Sequence, residues 1–306
     1  MECLRRMSGA IALAGLMVTA GCQPAEPDPA SPLPHASLAY EQPEGAGIVV
    51  LDAGLATEVF AEGAQVEKLT EDLFGWSEGP VWIRDGGYLL FTDVPGNTIH
   101  KWSEEAGLET FLQPSGLVGE DTEGVFREPG ANGLIPGDMP GAILLADHGN
   151  RGIARLDLET KEKTFLATRF DGKRFSSPND LVLAEEGAIY FTDPPYGLRE
   201  LDASPFREMA FNGVYLWRPD EDGGSVRVID DSLTRPNGIV RSPDGGTLYV
   251  AVSDPDAARV YAYTLGADGL AMKRRVFADL TAMVGQDYPG LSDGMAVDAD
   301  GRLYVT

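Results

Sequence analysis

The stretch Ser176-Ser-Pro-Asn-Asp-Leu-Val-Leu-Ala-Glu-Glu-Gly-Ala-Ile-Tyr-Phe-Thr-Asp-Pro-Pro-Tyr196 decides the fold. It joins an Asn-Asp pair, a short apolar run, a Glu-Gly turn, an alternating Ile-Tyr-Phe-Thr run and a closing Asp within the length of one β-hairpin. The same order of parts follows Glu78-Gly-Pro-Val-Trp, Asn132-Gly-Leu-Ile, Asn237-Gly-Ile-Val and Asp293-Gly-Met-Ala. These anchors stand roughly 50 residues apart, which is the spacing of a four-stranded propeller blade with generous loops.

Outward from each hairpin, two further strands are predicted. Third strands are expected at 98–102, 153–157, 213–217 and 259–263, and fourth strands at 109–113, 163–166, 225–229 and 274–277. No stretch sustains a 3.6-residue apolar period, which excludes an α/β architecture, and 37 glycines with 21 prolines suit many short strands and turns. A β-sandwich would not repeat one dipeptide at the head of each unit. The fold class is therefore all-β, a β-propeller of four-stranded blades.

The chain has 306 residues, with 48 acidic against 24 basic and a net charge of −24. An acidic exterior repels phosphate backbones, so nucleic acid is excluded as a partner, while cations are attracted. Most of those charges read simply as a solvated surface. The two cysteines, Cys3 and Cys22, both precede the repeats, so neither a disulfide nor a thiol nucleophile is expected in the globular part.

Residues 1–21 read as a signal peptide of lipoprotein type: Arg5 and Arg6, then an apolar run too short to span a bilayer, then Gly21-Cys22. Val-Thr-Ala-Gly-Cys22 resembles a bacterial lipobox, which makes Cys22 the expected lipidation site and the N-terminal lipid the only membrane contact. The expected location is the cell envelope, lipid-anchored at the periplasmic or outer-membrane face, or otherwise secreted to the periplasm. Residues 22–47 are Pro-rich and read as a tether. Residues 48–306 are the propeller domain, read as incomplete at its C-terminal end, with an outer strand expected from residues 57–73 to close the last blade.

In a propeller the innermost strands line the central channel, so residues at their heads converge at one mouth. Glu78, Asn132, Asn179, Asn237 and Asp293 hold that place, and Asp93, Asp147, His148, Asp193 and Asp254 are expected at its rim. The five inner residues offer only carboxylate or amide oxygen, which suits Ca²⁺ or Mg²⁺ over softer metals. Asn-Gly and Asp-Gly are also ordinary turn formers, and that reading stands beside the first. His148 likewise reads either as a packed histidine or as an acid/base.

From about residue 57 onward, these motifs resemble the gluconolactonase and senescence-marker-protein (regucalcin-like) family. The resemblance rests on Glu78-Gly-Pro-Val-Trp, Ala-Asn-Gly-Leu134 with Ala-Asp-His-Gly-Asn-Arg151, Ser-Pro-Asn-Asp-Leu-Val182 with Tyr-Phe-Thr-Asp-Pro-Pro-Tyr-Gly-Leu198, Arg-Pro-Asn-Gly-Ile239 and Ser-Asp-Gly-Met-Ala-Val-Asp298. It implies a six-bladed ring, of which about four and a half blades are present, and a metal-dependent lactonase acting on a sugar or related lactone. The implied ligands of one divalent cation are Glu78, Asn179, Asn237 and Asp293. Ca²⁺ is the first expectation, with Mg²⁺, Mn²⁺ or Zn²⁺ as the others. The implied chemistry is metal-activated water, with Asp293 as general base. Asn132, Asp180, Tyr196 and His148 are expected to line the substrate pocket. Two other functions fit the same ring: an aryl-ester or organophosphate hydrolase on the same site, and a non-catalytic binding propeller of the envelope. The oligomeric state is not readable from the sequence.

Overall fold

The computed structural model describes residues 53–61, 64, 66–284 and 290–306. The signal peptide, Cys22 and the tether lie outside the described residues. The chain divides into two compact units, Met1–Glu71 and Asp72–Thr306. In the first, helix α1 (Ala53–Val59) is the one regular element among the described residues. The expected outer strand between 57 and 73 is not found among the described residues. Ala, Leu and Glu in Ala53-Gly-Leu-Ala-Thr-Glu-Val59 favour a helix, and the apolar residues Val66, Leu69 and Leu73 lack the two-residue period a strand needs.

In the second unit the chain runs β1 (Ser77–Ile83), β2 (Tyr88–Asp93), β3 (Thr98–Ser103) and β4 (Gly107–Leu112), then β5 (Ala131–Pro136), β6 (Ala142–Asp147), β7 (Gly152–Asp157) and β8 (Lys163–Ala167). A two-stranded hairpin, β9 (Arg169–Phe170) and β10 (Lys173–Arg174), precedes β11 (Leu181–Leu183), β12 (Ile189–Asp193), β13 (Gly213–Arg218) and β14 (Ser225–Asp230). Next come β15 (Pro236–Arg241), β16 (Thr247–Val252), β17 (Arg259–Leu265) and β18 (Ala271–Asp279), and last β19 (Met295–Val297) with β20 (Leu303–Val305). The strands pair in sequence order into four antiparallel four-stranded sheets, with β19 and β20 as a two-stranded one. These are blades of a β-propeller, with each predicted third and fourth strand matched to within a few residues.

The middle strands explain how blades stack. β6 is buried along its whole length, and so is β12. Side chains alternate across a strand, so Ile143 and Leu145 pack with Val81, Leu90 and Ile99 of the first blade, while Leu144 and Ala146 pack with Ile189, Phe191 and Tyr215 of the third. Tyr190 turns the other way, onto Ile239, Leu248 and Val250 of the fourth. Each interface is thus an apolar layer between neighbouring blades.

The Asn-Gly dipeptides turn out to sit inside strands, as β-bulges. On β5, Ala131 faces Asp147 but Leu134 faces Leu145, so the inner strand carries one extra residue. The same shift lies between Glu78 and Val81 on β1, and between Pro236 and Ile239 on β15. A bulge re-aims the side chain at its start. It also lets successive blades touch through backbone: Gly133 N–H donates to Asn179 O at 2.9 Å and Gly238 N–H to Asp293 O at 3.1 Å. The Thr92 and Thr192 hydroxyls donate to Asn132 O and Asn237 O at 3.1 and 2.7 Å. A Cβ at Gly133 would stand 2.7 Å from Asn179 O, and one at Gly238 would stand 2.3 Å from Asp293 O.

Gly133→Ala should therefore lose about 1–3 kcal/mol of stability through forced backbone separation. Gly246→Ala, whose added Cβ would meet nothing nearer than 3.5 Å, should stay within about 0.5 kcal/mol of the parent. Denaturant unfolding of the two variants measures the difference.

Candidate active site

The bulged inner strands and their loop counterparts carry the anchor residues, of which Glu78 and Asn237 interact with Asp293. Asn132, Asn179 and Asn237 are each about 5% exposed or less, and Glu78 and Asp293 are half-buried. The third and fifth blades hold their anchors alike. Asn179 N–H donates to Thr192 O at 2.9 Å and Thr192 N–H returns to Asp180 O, while Asp293 N–H donates to Thr306 O at 2.8 Å and Thr306 N–H returns to Gly294 O. Asn179 and Asp293 are thus backbone-fixed at equivalent places.

The electrostatics of this centre are those of crowded carboxylates. Burial pushes the Glu78 carboxyl up to about 7, with Asp293, Asp180 and Glu128 adding repulsion against a hydrogen bond from Trp76 that lowers it. Trp76 Nε1 donates to Glu78 Oε1 at 2.6 Å. Burial also raises Asp293, partly offset by a hydrogen bond from Asn237. Glu128 is pushed up to about 7 by burial, with Arg127 opposing and Asp293 reinforcing the shift.

Asn237 spends its amide hydrogens on Asp293 and on Ser253 Oγ (2.9 Å), which leaves its amide oxygen unspent. No protein group hydrogen-bonds the Asn179 side chain among the described residues. Among the described residues no three His, Cys, Asp or Glu side chains would hold an ion by themselves. Two carboxylates supplemented by two amide oxygens form a different donor set, one of hard oxygen that carries the negative charge a divalent cation neutralises. The residues present fit such an ion.

The other expected pocket residues divide. Asp180, pushed up to about 7 by burial, has both carboxylate oxygens committed, Oδ1 to Leu181 N–H (2.8 Å) and Oδ2 to Ile239 N–H (2.9 Å). It therefore ties the third blade to the fourth at the edge of the centre. Tyr196, raised to about 12 by burial, lies near Asp293 and Glu128 with its hydroxyl 3.5 Å from Ser253 O. Asn132 faces His148, Nδ2 to Nε2 at 3.4 Å. His148 is fully buried, and burial pulls it down to about 3, so its ring is neutral.

The expected rim aspartates have another role. Asp93 accepts the amides of Gly75, Trp76 and Gly96, and Asp193 those of Ser176 and Ser177. Asp147 holds Asn150 and Lys163, and Asp254 holds Thr234. A carboxylate closing the second strand secures a neighbouring loop, in three blades the one that leads into the inner strand. Glu128 was not among the expected residues. It lies in the loop between β4 and β5, outside the repeat, and its one sequence signal is an acidic residue four positions before Asn132.

The family described as SMP-30/Gluconolactonase/LRE-like region matches residues 76–306. The chain belongs to this family. It is 41% identical over 258 residues to a gluconolactonase of Zymomonas mobilis, covering 84% of this chain and 68% of the relative. A solved gluconolactonase of Xanthomonas campestris superposes with a TM-score of 0.61 at 32% identity, over 76% of this chain and 70% of that one. A calcium-binding regucalcin of Agrobacterium tumefaciens shares the fold, with a TM-score of 0.55 at 22% identity over 78% of this chain and 69% of that one.

The raised Glu78 carboxyl sets the sign of a pH effect. A folded state that holds this proton above the usual carboxylate range loses stability as pH rises toward about 7. With divalent cations chelated, Glu78→Gln should melt above the parent at pH 8 and by clearly less at pH 5. Thermal unfolding in EDTA at the two pH values reads this, and an equal shift at both would contradict it.

Proposed function

We propose that this chain is a gluconolactonase-like hydrolase that opens a sugar lactone or related lactone with the help of one divalent cation, Ca²⁺ first among the choices. The observation that supports this reading is the set of oxygen-bearing anchors Glu78, Asn179, Asn237 and Asp293, two carboxylates and two amides heading separate blades, with Glu78 and Asn237 both interacting with Asp293. The likeness to gluconolactonases supports the substrate class, and the calcium-binding neighbour supports the metal.

Glu78, Asn179, Asn237 and Asp293 would hold the cation, which would supply Lewis-acid polarisation of the lactone carbonyl and a more acidic water. Glu78 and Asp293 balance its charge, and Asn179 and Asn237 add oxygen without adding charge. The Asp293 carboxylate takes the proton of the attacking water and returns it to the ring oxygen as the acyl C–O bond breaks. Asn237 orients that carboxylate by its hydrogen bond, and Ser253 fixes Asn237 by accepting from Nδ2 while donating to Ser292 O at 2.6 Å.

A pH-stat assay of the full chain should show δ-gluconolactone hydrolysis that EDTA abolishes and added Ca²⁺ restores. Asp293→Asn should lower kcat about 10²–10⁴-fold. Activity indifferent to EDTA would sink the metal mechanism, and turnover of phosphotriesters without lactones would move the chain to another substrate class. We further assign residues 1–21 to a lipoprotein leader and Cys22 to lipidation, which places the protein in the cell envelope. Radiolabelled palmitate should enter the expressed chain and be lost in Cys22→Ser.

A further inference from the structure

The loop between β4 and β5 is fastened to the loop between β12 and β13. Phe126 bridges Leu198, Arg127 and Glu128 N–H both donate to Gly197 O (2.9 and 3.3 Å), and Arg199 N–H donates to Val125 O at 2.9 Å. Gly197 lies against the His148 ring: a Cβ there would stand 2.8 Å from His148 Cγ and 2.7 Å from Ser177 Cβ. This fastening delivers Glu128, 7% exposed, beside a fully buried imidazole.

The three side chains then form a line. Glu128 Oε1 pairs with Arg127 at 3.2 Å, and Oε2 stands 3.6 Å from His148 Nδ1. Nδ1 is buried and takes no hydrogen bond, while Nε2 faces Asn132 Nδ2 at 3.4 Å. A neutral ring that accepts from an amide at Nε2 carries its proton on Nδ1, the nitrogen on the Glu128 side of the ring. An Asn132 amide that gives its nitrogen to His148 is left with its oxygen for a ligand, and an amide oxygen accepts from a hydroxyl.

We propose that Glu128 and His148 are positioning residues that act through Asn132, fixing the His148 tautomer so that Asn132 presents its amide oxygen, and not its nitrogen, to a hydroxyl of the lactone. This rests on the lactonase reading for its substrate, but not for its geometry. The arrangement favours a hydroxylated lactone over an alkyl one, because a site built to pair a hydroxyl is left unpaired by a ligand that lacks it.

The tautomer is read by long-range ¹H–¹⁵N correlation of the imidazoles in the full, metal-free chain, with His148 assigned by its loss in His148→Gln. His148 should be neutral with its proton on Nδ1 at pH 7, and Glu128→Ala should shift it toward the other tautomer. A proton on Nε2, or an imidazolium, in the unsubstituted chain overturns the proposal. In kinetics, His148→Leu should raise KM for δ-gluconolactone about tenfold with kcat nearly held, the loss of one aligned hydrogen bond. His148→Gln, which returns an acceptor near Nε2, should recover most of that loss. The preference for δ-gluconolactone over hydroxyl-free δ-valerolactone should fall in step, and an unchanged preference overturns the proposal. If His148→Leu does not fold, Glu128→Ala carries the same comparison. Should the parent chain turn over neither lactone, the lactonase reading fails, and the tautomer with its dependence on Glu128 still decides the positioning claim.

Discussion

Everything in the second unit depends on how closely one inner strand can approach the next. The Gly133 to Asn179 and Gly238 to Asp293 backbone contacts leave no room for a side chain on the glycine. In the third blade Asp180 stands where the others have glycine, and its carboxylate satisfies Ile239 N–H across the gap. The bulge that makes each contact is the same one that turns the anchor side chain inward. Ring packing and site assembly are therefore one feature, and neither can be altered alone.

That economy has an electrostatic cost. Burial raises Glu78, Glu128, Asp180 and Asp293, and repulsion from Asp293 adds to the shift of the first three. A protein selected only for stability would put apolar groups or paired charges there. Arg127 answers Glu128 and backbone amides answer Asp180, which leaves Glu78 and Asp293, beside spare amide oxygen, as the charge the proposed cation would neutralise.

The sequence was most informative where the physics is local and repeated. Alternation in Ile189-Tyr-Phe-Thr192 and the Gly turns marked the strands, and the recurring anchors marked the inward positions. It was less informative where one residue type serves two ends. Asp93 and Asp193 look like site residues because they close hairpins, yet their oxygens are spent on loop amides. Asn-Gly read as a turn former or a ligand, and the bulge makes it an inward-pointing element of a strand. Glu128 was invisible because its position depends on a loop docking against a partner more than sixty residues later in the chain, a contact that no periodicity records. The stretch 57–73 differs for another reason: its first residues, Thr57–Val59, end a helix, and the described residues after them lack the alternation of a strand.

The double burial of β6 and β12 has a mechanical meaning. Each is a party wall, with odd-numbered side chains belonging to one interface and even-numbered ones to the other. A blade cannot peel away without stripping its neighbour's wall, so the domain should behave as a single elastic body rather than a stack of leaves. A disturbance at one interface is carried to the next through the thickness of one strand.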